Sequence, residues 1–287
     1  VVVLTLNEER NIGACLDSLG AFADVHVVDA GSTDGTQRIA AARGAQCAPN
    51  AFRSFAQQRN WAHDHAPLRH DWVLHLDADE RMTDELAAEI SRVIAADDGR
   101  LAGFMIAEKT LLRGRWLKHA GQYPRYQARL VHRRRMRFVD HGHGQRESSS
   151  LPFGTLAAPY LHLAFSHGIE HWLRKHAGYA TLEAQQMLAG NTRAALRDLL
   201  GLDAVRRRRA LKNLSRNSPL RPLLRFLHVL LISRGILDGS AGWEYARMMS
   251  VFQAMIDLAL AEAKGRSAER TAATRDEPLS PEAPSER

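Results

Sequence analysis

Trp72-Val73-Leu74-His75-Leu76-Asp77-Ala78-Asp79-Glu80 decides how this chain is read. The apolar run 72–76 is read as a central strand that empties into an acidic turn at the ligand crevice. Two residues apart on an extended backbone, Asp77 and Asp79 are expected to point the same way. Two hard oxygen donors there suit Mg²⁺ or Mn²⁺, with water and diphosphate oxygens completing the shell. Such an ion neutralises the charge that builds on a departing nucleotide diphosphate. The alternative is solvated loop acids, or caps for a helix beginning near Thr83. Thr83, Asp84 and Glu85 already supply that cap and an acidic first turn, which favours the metal reading.

Working outward, residues 1–108 alternate short apolar runs (1–5, 25–28, 72–76) with amphipathic ones (12–19, 36–42, 54–65). That alternation predicts βαβ units around a mostly parallel sheet, an α/β fold. Ligands of such sheets bind beyond the carboxyl ends of the strands. Polar residues do follow each run: Thr5-Leu6-Asn7-Glu8, Asp29-Ala30-Gly31-Ser32-Thr33-Asp34-Gly35-Thr36, and the acidic turn. Asp29 is read as an acceptor for a base or ribose, Asp34 as a helix cap. Asn7 and Glu8 either cap a helix or read a base. Arg59 lies on the 54–65 helix, where it either faces solvent or lies against a nucleotide. The loop is neither a Gly-x-Gly-x-x-Gly fingerprint nor a P-loop ending in Gly-Lys-Ser/Thr.

From 102 to 163 the pattern turns to strand fragments (102–107, 126–131, 137–139, 155–163) joined by loops rich in Gly, His and Arg, read as added strands and an acceptor-side lip. Within Asp140-His141-Gly142-His143-Gly144-Gln145-Arg146-Glu147, two histidines one residue apart lack a third metal ligand at convincing spacing. General base is the better role, and His143 and Glu147 are the candidates. Residues 169–263 have helical spacing, with breaks near Gly190-Asn191, Ser218-Pro219 and Gly239-Ser240. Residues 264–287 hold three prolines and almost no large apolar side chain, so they are read as a disordered tail. The expected organisation is a donor half (1–108), acceptor-side strands and loops (109–163), a helical region (164–263) and that tail.

The chain has 287 residues, 45% hydrophobic and 25% charged, which fits a folded protein and neither a disordered chain nor a many-span membrane protein. A net charge of +7 and a pI near 9.8 favour polyanionic neighbours without choosing among them. The two cysteines, Cys15 and Cys47, give no disulfide framework, and a reducing cytoplasm is expected. An opening on Val1-Val2-Val3-Leu4 reads as a chain trimmed at its start. The stretch 223–237 is too short and too charged to span a bilayer, yet 220–237 suits either an interfacial amphipathic helix or an ordinary one. The basic runs Arg133-Arg134-Arg135 and 206–209 are read as solvated faces or as contacts for phosphates of an acceptor or an anionic lipid, which allows peripheral membrane attachment.

Four of these motifs together, Thr5-Leu6-Asn7-Glu8-Glu9-Arg10-Asn11-Ile12, Val28-Asp29-Ala30-Gly31-Ser32-Thr33-Asp34-Gly35-Thr36, Gln58-Arg59-Asn60 and Leu76-Asp77-Ala78-Asp79-Glu80, resemble the family 2 glycosyltransferases of bacterial lipopolysaccharide-core and exopolysaccharide synthesis. Weaker similarity runs through Gly121-Gln122-Tyr123-Pro124, Gln127-Ala128-Arg129-Leu130 and Leu237-Asp238-Gly239. The resemblance implies a GT-A fold, a nucleotide-sugar donor (usually a UDP-sugar), inversion at the anomeric carbon and a glycan or lipid-linked acceptor. It assigns Thr5, Asn7, Glu8, Asp29 and Arg59 to the nucleotide, Asp77 near ribose and Asp79 to the metal. The family's usual His-Glu base motif is replaced here by His143-Gly144-Gln145, which leaves the base open between Glu147 and His143. A nucleotidyltransferase would carry a Gly-rich, Arg-containing loop after the first strand, where this chain has Leu6-Asn7-Glu8-Glu9. A nucleic-acid-binding protein would account for the pI but not for carboxylates at three strand ends, which repel phosphates. No nucleic-acid partner is expected.

Overall fold

The computed structural model describes residues 1–141, 144–189 and 220–275. These divide between two compact units, one comprising Val1–Gly168 with Ser233–Gly242, the other Ile169–Ile232 with Trp243–Arg287.

In the first unit the strands β1 (Val2–Thr5), β2 (His26–Asp29), β3 (Gln46–Pro49) and β4 (Trp72–Asp77) alternate with the helices α1 (Ile12–Asp17), α2 (Thr36–Ala42) and α3 (Phe55–His65). They pair in the order β3-β2-β1-β4, all parallel. Each strand is short because its apolar run is short, and β4, the central strand expected at 72–76, is buried through Val73, Leu74, His75 and Leu76, so it is covered on both faces. A turn at Ala78-Asp79 leads to β5 (Glu80–Arg81) and α4 (Asp84–Ala95). Thr83 caps α4 by accepting from the Leu86 N–H, and Asp84 and Glu85 occupy its positive end, as the sequence implied.

Beyond β4 the sheet becomes mixed. The strands β6 (Gly103–Leu112), β7 (Arg115–Trp116), β8 (Arg125–His132), β9 (Arg137–His141), β10 (Gly144–Ser148), β11 (Phe153–Thr155) and β12 (Tyr160–His162) follow in order. β8 is antiparallel to both β4 and β6, β12 runs parallel to β6, and β9 and β10 form a separate hairpin. Of the expected strand at 155–163, Thr155 ends β11 and Tyr160–His162 form β12, with the non-strand residues 156–159, which include Pro159, between them. Gly103 lets β6 and β8 approach: a Cβ there would lie 2.6 Å from the Leu130 carbonyl oxygen. The main core joins Ile12, Leu16, Val27, Leu76, Leu86, Ile90, Ile106 and Leu130.

The segment Ser233–Gly242 belongs to this first unit. Asp238 is buried and accepts from the backbone N–H groups of His119 and Ala120 and from the His119 ring. The weakly family-like stretches around 121–124 and 237–239 therefore meet in space. The second unit contains α6 (Arg221–Leu227), one π-helical turn (His228–Ile232), and all but the first residues of α5 (Gly168–Ala189) and α7 (Gly239–Arg275). α7 continues through 264–275, residues whose composition suggested no order. The expected breaks at Gly190-Asn191 and Ser218-Pro219 lie outside the described residues. The break at Gly239 is present, with φ +63°. Among the described residues no helix is long and apolar enough to cross a membrane. Both cysteines are free thiols.

Leu76 is fully buried at the centre of this core. Leu76→Ala is expected to lower unfolding stability by about 2–5 kcal/mol, read from urea melts; a midpoint equal to wild type would contradict this placement.

Candidate active site

The carboxyl ends of β1, β2 and β4 form one edge. Register sets Thr5 beside Asp29, and Leu4 beside both Val28 and Asp77. The Thr5 hydroxyl donates to Asp29 Oδ2 at 2.9 Å. Asp29 also accepts from the Gly31 and Ser32 N–H groups, the Ser32 hydroxyl and the Gln37 amide. Burial opposes its charge, but these donors, Ser32 foremost, hold its pKa below the usual carboxylate value. Gly31 permits the turn by taking φ +101°. With both oxygens engaged and 1% exposure, Asp29 shapes its loop and offers no open acceptor.

Neither Asn7 nor Glu8 is a side-chain cap of α1, whose N-cap is Asn11. Asn7 takes a left-handed conformation, φ 55°, and its Oδ1 accepts from the Thr33 N–H at 2.8 Å. Its own N–H donates to the Ser32 hydroxyl. The Glu8 N–H donates to the Thr36 hydroxyl, while Glu8 Oε2 accepts from Asn11 Nδ2 and lies 3.0 Å from His167 Nε2. Asp34 is not the cap expected of it, since the N-cap of α2 is Gly35; one residue earlier, it accepts from the Thr36 N–H and hydroxyl. The loops after β1 and β2 are thus knitted into one rim.

Asp77 and Asp79 do not point the same way. The extended-backbone premise fails because the chain turns at Ala78-Asp79, directly after β4. Asp77 is held between two arginines: Arg59 Nη2 reaches Oδ1 at 3.0 Å and Arg129 Nη2 reaches Oδ2 at 2.9 Å. Burial opposes ionisation, yet Arg129 and Arg59 outweigh it and hold this carboxyl well below the usual range. Arg129 also pairs with the buried Glu80, whose Oε2 accepts from the Asp77 N–H. Burial pushes the Glu80 pKa upward against that pairing. Arg59 is buried on α3, bonded through Nε to Gln145 at 3.2 Å and seated 5.7 Å from the Phe138 ring centroid. Its Nη1 has no partner among the described residues, an unusual condition for a buried donor.

Asp79 instead faces His162, the last residue of β12, with Nε2 3.3 Å from Oδ2. The other ring nitrogen, Nδ1, lies 2.8 Å from Glu108 Oε1, and Glu108 is fixed in turn by Arg125, Gln127 and Thr110. Burial works against a charge on His162, but Asp79 and Glu108 push its pKa up to about 10. With a carboxylate on each nitrogen the ring is held as an imidazolium, so His162 would ligate a cation through Nε2 only by giving up that proton, with Glu108 still holding Nδ1–H. Among the described residues no three His, Cys, Asp or Glu side chains are disposed to hold a metal unaided. Asp79 and His162 would therefore supply two donors, and the rest would come from ligand and water.

Between α3, β8 and β10 lies a cleft of about 370 Å³, whose lining includes Phe55, Arg59, Asp77, Tyr126, Gln145 and Glu147. Gln145 and Glu147 share one face of β10, so the side that bonds Arg59 also carries the Glu147 carboxylate. His143 lies outside the described residues.

His162, Glu108 and Arg129 are the residues that sequence reasoning missed. His162 satisfies the rule that found Asp29 and Asp77, a polar residue at the carboxyl end of a strand. A strand expected to run unbroken over 155–163 places His162 within the strand and not at its end.

The architecture is a GT-A fold, a Rossmann-like parallel half with added mixed strands and a helical C-terminal region. Residues 1–148 match the family described as Glycosyl transferase family 2. The chain belongs to that family and is an enzyme of the glycosyltransferase class, which displaces the nucleotidyltransferase and nucleic-acid-binding alternatives. It is similar to the lipopolysaccharide core biosynthesis glycosyltransferase LpsC of Rhizobium meliloti, 26% identical over 205 residues, 67% of this chain and 72% of that one. It is also similar to an uncharacterized glycosyltransferase of Rickettsia typhi, 33% identical over 114 residues, with only 38% of that protein covered. Among solved structures, mannosyl-3-phosphoglycerate synthase from Rubrobacter xylanophilus is 23% identical over 38% of this chain and 39% of that one, with a TM-score of 0.33.

Asp77→Asn is expected to cost about 1–3 kcal/mol by leaving two buried arginines short of charge. Because the folded pKa of Asp77 is depressed, its contribution is present above the unfolded value near ~4 and is lost as pH falls through the folded one. Urea melts at descending pH should show a shallower acid loss for the variant; parallel curves would contradict the clamp.

Proposed function

We propose that this chain is an inverting, metal-dependent glycosyltransferase that moves a sugar from a nucleotide diphosphate sugar, a UDP-sugar by family resemblance, to a glycan or lipid-linked acceptor. Similarity to LpsC supports a place in bacterial cell-surface polysaccharide or lipopolysaccharide synthesis. The observation that carries the reading is Asp79 facing a histidine whose far nitrogen is held by Glu108.

Asp79 and His162 are the residues that fit a Mg²⁺ or Mn²⁺ ion. When bound, that ion supplies charge neutralisation for the departing diphosphate. Thr5, Asn7, Glu8 and Asp29 organise the rim that receives the nucleotide. Asn7 and Glu8 present side chains to it, while Thr5 and Asp29 act by fixing the loop. Asp77 is a positioning residue here rather than a metal ligand, because its oxygens are already occupied by Arg59 and Arg129. Arg59 keeps Nη1 for a ligand oxygen.

Glu147 is the general base, taking the proton from the acceptor hydroxyl as that oxygen bonds to the anomeric carbon. The bond from that carbon to the diphosphate breaks on the opposite face, so configuration inverts. Alignment of the reactants and fixed charge supply most of the acceleration.

Two outcomes test this. In a thermal-shift panel of nucleotide sugars with and without Mg²⁺ or Mn²⁺, one donor should raise Tm only with metal, and Asp79→Ala should fold normally yet lose that rise. An unchanged metal-dependent shift in Asp79→Ala would overturn the metal assignment. Glu147→Gln should keep the shift but lower kcat by roughly 10²–10⁴-fold; turnover at the wild-type rate would remove Glu147 as the base.

A further inference from the structure

α6 has the sequence Arg-Pro-Leu-Leu-Arg-Phe-Leu, and none of its residues is buried. A helix this apolar on a water-soluble surface normally turns a stripe inward. Here Leu223 is 51% exposed and Leu224 45%, and the π-helical turn that follows adds Leu231 at 59% and Ile232 at 75%. Only Val229 and Leu230 of that turn are buried. Trp243 extends the patch: its ring lies 5.7 Å from that of Phe226, and it is 43% exposed. A contiguous apolar surface with an exposed tryptophan beside it calls for an apolar occupant.

The charge pattern says which one. Residues 204–237 contain nine lysines and arginines and no aspartate or glutamate. Arg221 is paired with Asp257 at 2.8 Å, whereas the rest of the stretch brings no acid of its own. A second copy docking through the same face would set this cationic stretch against itself. An anionic surface that also offers hydrocarbon satisfies both features.

We propose that α6 and the turn after it form a membrane-docking face that inserts Leu223, Leu224, Leu231, Ile232 and Trp243 into the headgroup boundary of an anionic bilayer. Arg225, on α6 itself, meets the lipid phosphates. The face lies within the helical unit and does not depend on the catalytic reading, so either can fail alone. Attachment is interfacial, consistent with the lack of a membrane-crossing helix among the described residues. The apolar residues supply insertion and the arginines supply attraction, so binding has two separable components.

The test is co-sedimentation of the full chain with phosphatidylglycerol vesicles and with phosphatidylcholine vesicles at low and high salt. Expected are binding to the anionic vesicles, weak binding to the neutral ones, and a marked fall with salt. Leu231→Glu/Ile232→Glu, at solvent-exposed positions, should keep the wild-type Tm yet lose vesicle binding at least roughly tenfold. Arg225→Glu should weaken it by several-fold while leaving the neutral-vesicle signal unchanged. Equal sedimentation of the double variant and wild type would overturn the proposal. So would absence of binding to both vesicles, or a wild-type dimer by light scattering that the double variant abolishes, which would make a second copy the occupant.

Discussion

Everything around the cleft depends on Asp77 being held between Arg59 and Arg129. Three elements distant in sequence meet there: the end of β4, the buried face of α3 and the middle of β8. Each arginine is almost wholly buried, so each carries a desolvation cost that only nearby acids offset. Asp77 serves both arginines and Glu80 serves Arg129. Removing one partner leaves a buried charge uncompensated, which makes this geometry strongly specified. The clamp also fixes where the chain turns, and the turn directs Asp79 away from the arginines and toward His162.

Two polar systems then flank the edge with different characters. The rim made by the loops after β1 and β2 is saturated internally: Asp29, Asn7 and Asp34 spend their side-chain oxygens on backbone and hydroxyl donors. Such a rim is preorganised, and its recognition of a ligand works through shape and the groups left at its surface. On the other side, Asp79 meets His162, whose ring is bonded through both nitrogens, and Glu108 behind it is tightly fixed by Arg125 and Gln127. Glu108 would keep the His162 ring oriented when an ion replaces the proton between His162 and Asp79. Glu147 lines the cleft beside Arg59 and Asp77, on the face of β10 that binds Arg59 through Gln145.

The parallel half of the fold was legible because its signals are local. Short apolar runs, each ending in a polar turn, specified β1, β2 and β4, and Thr83 with Asp84 and Glu85 announced α4. The acidic turn was found for the same reason, but the direction of its two carboxylates was not. Alternation applies only while the backbone stays extended, and a turn immediately after Asp77 separates them. The partners were harder still. Arg129 and His162 reach the site from strands 52 and 83 residues beyond their respective acids, Asp77 and Asp79. Periodicity does not carry contacts across such distances. The donors that fill Asp29 are equally invisible, because sequence shows a side chain's chemistry and not how many donors its own loop supplies.

The most direct measurement is a crystal structure grown with UDP and Mn²⁺, with anomalous scattering collected to locate the metal. The account predicts one Mn²⁺ peak within coordinating distance of both an Asp79 oxygen and His162 Nε2, with diphosphate oxygens completing its shell and Asp77 still clamped by Arg59 and Arg129. An ordered UDP with the metal bound elsewhere, or with Asp77 released from its arginines to take the ion, would contradict it.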